Sequence, residues 1–314
     1  MKRVCVWTTA VAIALFGSVA VFAGEFRVEK TEHGATVTCD GKLVTNYLID
    51  VGHKPILWPV IGPTGKPMTR AWPMGEGPNE KHDHPHHKSL WFTHGSVGGT
   101  SFWEATDTTG YVKHREFVRL EGGEAAVIQT INDWVTPEGK KILEDERTIR
   151  IWDDHGKRYI DFDIVLKAVG EPVKFGDTKE GSFGIRVPGT MKVDAGLGGH
   201  ILNSNGQKDR EAWGKRASWV DYYGPVEGET LGIAILNHPA SFRYPTYWHV
   251  RTYGLFAANP FGWHNFVGSS DVDGSYTVSP AKPISLFYRV VLHKGDASAG
   301  EIAREFESYA KVAK

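Results

Sequence analysis

The sequence predicts an all-β protein, a large antiparallel two-sheet β-sandwich with a short C-terminal helix. Three observations support this fold class. Glycine and proline, 36 and 16 of the 314 residues, separate short runs rich in Val, Ile, Thr, Tyr, Phe and Trp along the whole chain. Four long runs follow one another as a meander, and only the C-terminal residues show helical periodicity. Long consecutive strands joined by tight turns form a wide sheet with one buried face, and two such sheets make a sandwich.

Residues 1–23 are predicted to be a secretory signal peptide. Lys2 and Arg3 form a positive n-region, residues 10–16 are apolar, and Val21 and Ala23 are the small residues at positions −3 and −1 of a cleavage site. The alternative is an uncleaved single-span anchor. No other segment approaches the roughly 20 apolar residues that a span needs. We therefore expect an exported protein, periplasmic or extracellular, without integral membrane association after cleavage.

Residues 24–314 are expected to form one domain, since they show no internal repeat, linker or shift of composition. The chain carries 36 Lys and Arg against 37 Asp and Glu, and it has no long basic run, so no nucleic-acid partner is expected. Signal cleavage leaves Cys39 as the single cysteine, which excludes an intramolecular disulfide. The domain must therefore be stabilised by its hydrophobic core.

The strands are predicted in chain order. Asp40-Gly41 joins residues 35–39 and 42–49 as a hairpin. The four strands of the meander are predicted at residues 115–121, 125–135, 142–152 and 159–168. In the last of these, alternation places four apolar side chains on one face: Ile160, Phe162, Ile164 and Leu166. Residues 283–292 form a terminal strand.

A C-terminal helix follows this strand. Ser298 and Glu301 fit a capping box, and Ile302, Phe306 and Tyr309 form an apolar stripe. Two other stretches, residues 53–99 and 189–214, are too rich in Gly, Pro, His and Asn to predict regular strands. Because loops of that length are uncommon in compact domains and usually functional, we expect the site there.

The densest cluster of candidate residues is His82-Asp83-His84-Pro85-His86-His87. In an extended segment His82, His84 and His86 would share one face about 6.5 to 7 Å apart, a spacing that allows two imidazoles to bind one metal ion. Pro85 favours that geometry, since it disfavours the α region for the residue before it. The alternative is a polar loop whose histidines form hydrogen bonds with backbone or substrate and bind no metal.

Two further segments carry ionisable groups. Residues 177–181 (Asp-Thr-Lys-Glu-Gly), with Arg186 shortly after, could supply a general acid or base held by an ion pair, or could be a solvated turn. The second segment is residues 239–262. If its residues 247–251 are extended, the side chains of Tyr247, His249 and Arg251 point to one side. Such a polar face is costly to bury without hydrogen bonds, so it is expected to line a cleft, the alternative being a core network.

Tryptophan is abundant, with ten of the eleven indoles in residues 24–314. Some will be core residues, and Trp134 and Trp152 within the meander are candidates for that. Six others lie in irregular or polar surroundings, where an indole could stack on the apolar face of a sugar ring. They are Trp58, Trp72, Trp91, Trp103, Trp219 and Trp248. The chain has no Gly-x-Ser-x-Gly, Walker, dinucleotide-binding or Cys-x-x-Cys motif, which leaves a serine hydrolase, an NTPase and a thiol redox protein unsupported.

Several motifs in a fixed order resemble the bacterial family labelled "methane oxygenase PmoA" or PmoA-like. They are residues 70–73, 83–92, 179–186, 219–222, 237–239, 248–251 and 259–262. That family is similar to the galactose-mutarotase-like supersandwich group, which implies a supersandwich fold and an exported protein encoded near sugar-processing genes. The oxygenase label itself does not carry over, because it requires several membrane spans or a histidine at the mature N-terminus, and cleavage after Ala23 leaves Gly24 there.

The resemblance also bears on chemistry. In mutarotase-like enzymes a His acts as acid and a Glu or Asp as base at the anomeric centre of a sugar, but the local motifs here depart from that pattern, so no residue is carried over one to one.

We therefore expect an exported carbohydrate-active protein whose ligand is a small molecule or an oligosaccharide, and which acts on a glycoside or modified sugar by acid–base chemistry. Proton transfer or polarisation is assigned to the histidines His84, His86, His87 and His249. The carboxylate is assigned to Glu180 or Asp221. Substrate binding is assigned to Arg70, Trp91, Arg186, Asp221, Tyr222, Trp248 and Arg251.

Two alternatives remain open. A non-catalytic carbohydrate-binding protein would use the same Trp and Arg residues. A metal-dependent enzyme would hold a divalent ion at the cluster of residues 82–87, centred on His84 and His86, with His94, His238, His249 or an acidic residue completing the site.

Overall fold

Two eight-stranded antiparallel sheets pack face to face in this protein. The structure is a computed structural model that describes residue 1 and residues 24–314, so residues 2–23 of the predicted signal peptide lie outside the described residues. Within the described part, no helix is both long and apolar enough to cross a bilayer. The predicted large two-sheet sandwich with a short C-terminal helix is confirmed.

The first sheet has the strand order β1-β2-β3-β4-β5-β11-β16-β15. Its strands are β1 Phe26–Thr31, β2 Gly34–Cys39, β3 Lys42–Leu48, β4 Ile56–Trp58, β5 Leu90–His94, β11 Gly181–Arg186, β15 Tyr247–Val250 and β16 Leu255–Asn259. The predicted hairpin through Asp40-Gly41 joins β2 and β3.

The second sheet has the order β12-β13-β14-β18-β9-β8-β7-β6. Its strands are β6 Tyr111–Glu121, β7 Ala126–Val135, β8 Lys141–Asp154, β9 Lys157–Ala168, β12 His200–Asn203, β13 Trp219–Val226, β14 Glu229–Asn237 and β18 Ile284–Lys294. The meander is therefore confirmed as β6 to β9, and the terminal strand as β18. A separate pair joins β10 Val173–Phe175 to β17 Tyr276–Val278.

The main core lies between the sheets and follows from strand alternation. Ile160, Phe162, Ile164 and Leu166 of β9 all point into it, as predicted. The outer faces are covered differently. On the second sheet, helix α2 Ile302–Tyr309 covers a smaller apolar cluster through Ile302 and Tyr309. On the first sheet, the outer face carries Trp91 and is overlaid by loops.

Local details differ from the predictions in two places. Helix α2 begins without a capping box, because Glu301 occupies the N-cap position in a left-handed conformation and makes no side-chain cap.

The stretches 53–99 and 189–214, for which no regular strands were predicted, contain the strands β4, β5 and β12. These are short strands completed by pairing with distant partners, which local composition does not reveal. The first stretch contains the histidine-rich loop of residues 82–88. The second contains Asp194 and Arg210, which line a cavity described below. A short helix, α1 Trp263–Val267, packs near β15.

His94 at the end of β5 links protonation to stability. Its ring packs on Phe175 and Phe261, and burial lowers its pKa to about 4. Between about pH 6.5 and 4 the unfolded chain binds a proton at this residue that the folded chain rejects, so folding stability falls as the pH falls. Relative to wild type, a His94→Gln variant is expected to lose less stability on acidification, by about 1.4 kcal/mol per pH unit below 6.5. Urea unfolding at pH 7.5 and 5.5 measures this, and parallel losses in both proteins would contradict it.

Candidate functional site

One cavity on the outer side of the first sheet brings together ionisable residues from distant parts of the chain. Its volume is about 290 Å³, close to the lower end of the range typical of small-molecule sites, about 300–1,000 Å³. All nine lining residues carry hydrogen-bonding side chains: His84, His86, His87, Glu104, Lys179, Glu180, His249, Arg251 and Tyr253. We call this the histidine cavity. The structure thus places four predicted catalytic histidines, Glu180 and Arg251 around one space.

Strand pairing explains why these segments meet. In the first sheet Trp91 of β5 pairs with Gly184 of β11, Gly184 pairs with Ala257 of β16, and Ala257 pairs with His249 of β15. These four residues form a single row across the outer face. The Trp91 ring lies over Gly184, where a Cβ would come within 2.8 Å of the indole. Gly184 thus leaves room for the Trp91 ring, and Ala257 is the small residue between Gly184 and His249.

Arg70 holds the histidine loop, residues 82–88, in place. Its guanidinium donates to the backbone oxygens of Asp83 at 3.1 Å, His84 at 2.9 Å and His87 at 3.1 Å, and to the Asp83 carboxylate at 2.8 Å. Arg186 also donates to that carboxylate at 3.2 Å. Although burial disfavours the ionised carboxyl, Arg186, His84 and Arg70 together lower the pKa of Asp83. Arg70 is therefore a positioning residue behind the loop, and the prediction that it binds substrate is wrong.

The extended geometry predicted for this loop is also wrong. The His87 amide donates to the His84 carbonyl at 2.9 Å, which closes a turn, and His84 adopts a φ of 43°. His82 leaves the cluster to stack on Trp72, with ring centroids 3.9 Å apart. Contacts from Arg70 to the loop carbonyls override the local preference imposed by Pro85.

A stack of four rings runs through the site. Tyr253, His84, His87 and Trp91 lie with successive centroids 5.5, 4.8 and 5.4 Å apart and interplanar angles of 9°, 9° and 16°. The stack joins a ring at the cavity wall to an indole that is completely buried. It fixes the planes of the two imidazoles, so their nitrogens have defined directions.

His87 is held as a hydrogen-bond donor. Its Nδ1 lies 3.1 Å from Nη1 of Arg186, and since a guanidinium can only donate, Nδ1 accepts. Burial and the nearby His86 lower the pKa of His87 well below the usual value, so the ring is neutral and its proton is on Nε2. That Nε2 is buried and has no partner in the described part of the chain. His87, which lines the cavity, therefore carries an N–H without an acceptor among the described residues.

His249 is held in the opposite tautomer. Its Nδ1 lies 2.8 Å from the Lys179 carbonyl oxygen, which can only accept, so Nδ1 carries the proton. Burial, reinforced by Arg251, lowers the pKa of His249 to about 3. The ring is neutral, and Nε2 makes no hydrogen bond within the described residues. The histidine cavity therefore has one imidazole that donates and another that accepts.

His86 lies beside His87, and its ring also contacts Trp103. Its centroid is 4.4 Å from His87 and 6.4 Å from Trp103, and burial together with Lys54 lowers its pKa to about 3. Lys54 is 1% exposed, donates to the Trp103 carbonyl at 2.6 Å, and has its pKa lowered by burial to about 7. Burial, reinforced by Lys54, therefore keeps the His86 imidazole neutral.

Two carboxylates complete the cavity. Glu180 forms an ion pair with Lys179 at 2.7 Å, and its backbone oxygen accepts from Gly95. Glu104 accepts from the Ser101 hydroxyl. Asp177, from the same segment as Glu180, instead binds His264 at 2.7 Å and does not line the cavity.

Five other predicted substrate-binding residues lie outside the histidine cavity. Trp91 and Trp248 are fully buried and cannot be sugar platforms, because Trp91 supports His87 and Trp248 points into the main core and donates to the Ala217 carbonyl at 2.9 Å. Tyr222 is buried too, and its hydroxyl donates to backbone near Arg251. Arg186 contacts His87 and stacks on Tyr253, 4.7 Å from the ring centroid. Alternation places His249 on the opposite side from Trp248, as predicted.

Asp221, the fifth, lies on the outer face of the other sheet. It pairs with His293 at 3.0 Å, and both side chains are buried. Burial disfavours the imidazolium, but the Asp221 carboxylate outweighs this and raises the pKa of His293. The assignment of Asp221 as a catalytic or substrate-binding carboxylate is therefore wrong, since β13 belongs to the second sheet.

The Asp221→Asn variant tests this correction. We expect a loss of about 1–3 kcal/mol in the free energy of unfolding near pH 6, because a buried charged partner of His293 is removed. The kcat/KM on any substrate should stay within about twofold of wild type. Urea unfolding and initial rates on the same preparation measure both, and a large loss of turnover in a folded variant would restore Asp221 to the site.

Within the described residues, no group of three or more His, Cys, Asp or Glu side chains is arranged to hold a metal ion. The predicted convergence of His84 and His86 on a metal also lacks its extended geometry.

Sequence reasoning gave no role of their own to four residues in or near the cavity. Lys179 was named only within residues 177–181, and Tyr253 is a close neighbour of Arg251 in sequence, so proximity could have found it. Lys54 and Glu104 carry no local signal, since each reaches the site through loop packing.

Comparison with known proteins gives a family and distant structural similarity to solved structures. A family model described as "Family of unknown function (DUF6807)" matches residues 34–307. This match overturns the resemblance to the PmoA-like family. No curated protein matches the chain. Among solved structures, an α-galactosidase from Lactobacillus brevis shows 8% identity and a TM-score of 0.33. The alignment covers 87% of this chain and 40% of the α-galactosidase chain, so the protein spans well under half of that relative.

Proposed function

The protein belongs to the family of unknown function DUF6807, and we propose that it is an enzyme that acts on a glycoside or modified sugar by acid–base chemistry in the histidine cavity. The observation that carries the proposal is the opposite tautomers of His87 and His249 around one polar space. An N–H and an unprotonated nitrogen, both fixed, are what proton transfer at a sugar requires.

The roles follow from the hydrogen bonds. His249 Nε2 is the base that takes a proton from a hydroxyl or from a carbon next to a carbonyl. His87 Nε2–H donates to the oxygen on which negative charge develops, as a neutral imidazole can in a site closed to water. The carboxylates of Glu180 and Glu104 accept hydrogen bonds from sugar hydroxyls, and the protonated His249 returns the proton that it took. We assign proton relay to His86, which lines the same cavity with its ring centroid 4.4 Å from that of His87.

A hydroxyl-rich ligand suits the lining of the cavity. None of its nine residues is aliphatic, and the lining contains both hydrogen-bond donors and acceptors. An apolar ligand would leave these groups unpaired, which costs free energy. A sugar can satisfy both kinds through its hydroxyls.

A substrate panel tests the function. The purified protein is incubated with neutral, acidic and keto-glycosides, and products are detected by mass spectrometry. We expect turnover of at least one member, with strong loss in His86→Asn and Glu180→Gln and none in the control His155→Asn, whose ring is 85% exposed on a turn. Binding without product would instead favour a carbohydrate-binding protein, and no binding of any member would refute the carbohydrate assignment.

Export is proposed as well, on the signal-like composition of residues 1–23. The protein recovered from the native host should then have Gly24 as its first residue and should be found in the periplasm or the medium. An intact N-terminus in the cytoplasmic fraction would refute this.

A further inference from the structure

A second cavity adjoins the histidine cavity. It has a volume of about 430 Å³ and shares Arg251 and Tyr253 with the histidine cavity. We call it the arginine cavity, and its lining residues are Asp194, Arg210, Trp213, Val250, Arg251, Thr252 and Tyr253. A third depression continues from it through Asp194, Arg210 and Thr252. The surface therefore forms a groove longer than one sugar, with the histidine cavity at one end.

The arginine cavity contains donors that the protein itself does not use. Neither Arg251 nor Arg210 has a carboxylate partner within ion-pair distance among the described residues. Arg251 lies against two rings, with its guanidinium carbon 5.5 Å from the centroids of both Trp213 and Tyr253. The indole N–H of Trp213 is buried and has no acceptor within the same part of the chain.

An unpaired guanidinium that is held by aromatic rings, as that of Arg251 is, is well suited to bind a planar carboxylate. The rings restrict the motion of Arg251 before a ligand arrives, which reduces the entropy lost on binding. A carboxylate can accept two parallel N–H groups from one guanidinium, and such bonds are stronger than neutral ones.

The carboxylate of Asp194 narrows the class of ligand. A bare inorganic anion would bring like charge towards Asp194 and would offer it no donor. A sugar acid offers a carboxylate to the arginines and hydroxyl donors to Asp194. The mixed lining therefore fits a hydroxylated carboxylate better than sulfate or phosphate.

We propose that the arginine cavity binds a uronate unit adjacent to the sugar that reacts in the histidine cavity, so that the substrate is an acidic oligosaccharide. This inference rests on the proposed function, and it adds the substrate class. Arg251 lies at the junction of the two cavities and would fix the register of the oligosaccharide between them.

Binding measurements test the proposal with defined probes. Calorimetric titration compares galacturonate and glucuronate di- and trisaccharides with the matching galactose and glucose oligosaccharides. We expect at least one acidic probe to bind about tenfold or more tightly than its neutral match, and 0.5 M NaCl to reduce the difference. Equal affinities, no binding of any acidic probe, or equally effective competition by sodium sulfate would overturn the proposal.

Substitutions of the two arginines test whether the preference for acidic probes arises in the arginine cavity. Arg251→Met and Arg210→Met should each reduce the preference for the acidic probe by about tenfold, and Arg210 is exposed, so its replacement should leave the fold intact. Arg304→Met is the matched control, since that arginine is 77% exposed on α2. An unchanged acid preference in both cavity variants would overturn the assignment of the site.

The outcomes separate this inference from the proposed function. Turnover of neutral glycosides without acid preference would overturn the uronate site alone. Acid preference that depends on Arg251 and Arg210, with no product from any probe, would support the site and would overturn the catalytic proposal alone. Binding is measured directly, so the two readouts are independent.

Discussion

Replacement of His249 with asparagine is expected to lower kcat/KM by about 10²–10⁴-fold on any glycoside that the protein turns over. Asparagine can still donate to the Lys179 carbonyl that now accepts from His249 Nδ1. It has no nitrogen at the position of Nε2, so the proposed base is lost while the anchor is kept. Initial rates on the best panel substrate give the loss, and thermal unfolding shows whether the fold is preserved.

The pH dependence gives a second readout for His249. Because its pKa is about 3, the imidazole stays neutral well below pH 6.5, so its protonation should not reduce turnover between pH 5 and 7. An exposed histidine acting as base would lose activity in that range. His264→Asn is the control, as its ring is 40% exposed and it pairs with Asp177 outside the cavity. Full turnover in His249→Asn would remove this residue from the mechanism.

Replacement of Arg70 with methionine is expected to lower the free energy of unfolding by about 3–5 kcal/mol, because the half-buried Asp83 carboxylate and three loop carbonyls lose the same buried donor. Asp83 and the carbonyls of His84 and His87 would lose their donor together. A decrease in Tm of roughly 10 °C should accompany the change. Turnover should fall as well, since the histidine loop depends on these bonds for its turn.

The lysine variant at this position distinguishes geometry from charge. Arg70→Lys keeps the positive charge but cannot donate to four acceptors in a fixed fork, so most of the loss should persist. Arg119→Met is the control, because its side chain is 45% exposed and pairs only with Glu121 at the surface. Denaturant unfolding of the three variants measures the change in free energy, and thermal unfolding measures the change in Tm. A Tm within about 2 °C of wild type for Arg70→Met would show that the loop is held by other contacts.

Much of the fold could be predicted from residues that are close in sequence. The meander β6 to β9 was accessible because alternation has a period of two and the turns carry Gly and Pro signals. The faces of β9 and β15 follow from the same period, which is why His249 and Trp248 were assigned correctly to opposite sides. The short strands β4, β5 and β12 were missed, because each depends on pairing with a distant partner and has little local signature.

The candidate site was predictable only in part. His84, His86, His87, Glu180, His249 and Arg251 stood out by residue type, and the structure places them around one space. Asp221 and Tyr222 stood out equally, yet they lie in the second sheet. Residue type alone cannot separate a polar side chain in a cavity from one that pairs inside the protein. Trp91 was misassigned for the same reason, since an indole beside histidines can be either a platform or a buried support.

The sequence by itself determined the alternating strands, the meander, the apolar faces of the sandwich and the set of histidines, arginines and carboxylates available for chemistry. These are local properties, fixed by spacing along the chain. Only the tertiary structure decided which of those groups meet and in what protonation state. The row Trp91, Gly184, Ala257 and His249 exists because four strands distant in sequence are neighbours in one sheet, and the tautomers of His87 and His249 are set by Arg186 and the Lys179 carbonyl, which approach them from other segments.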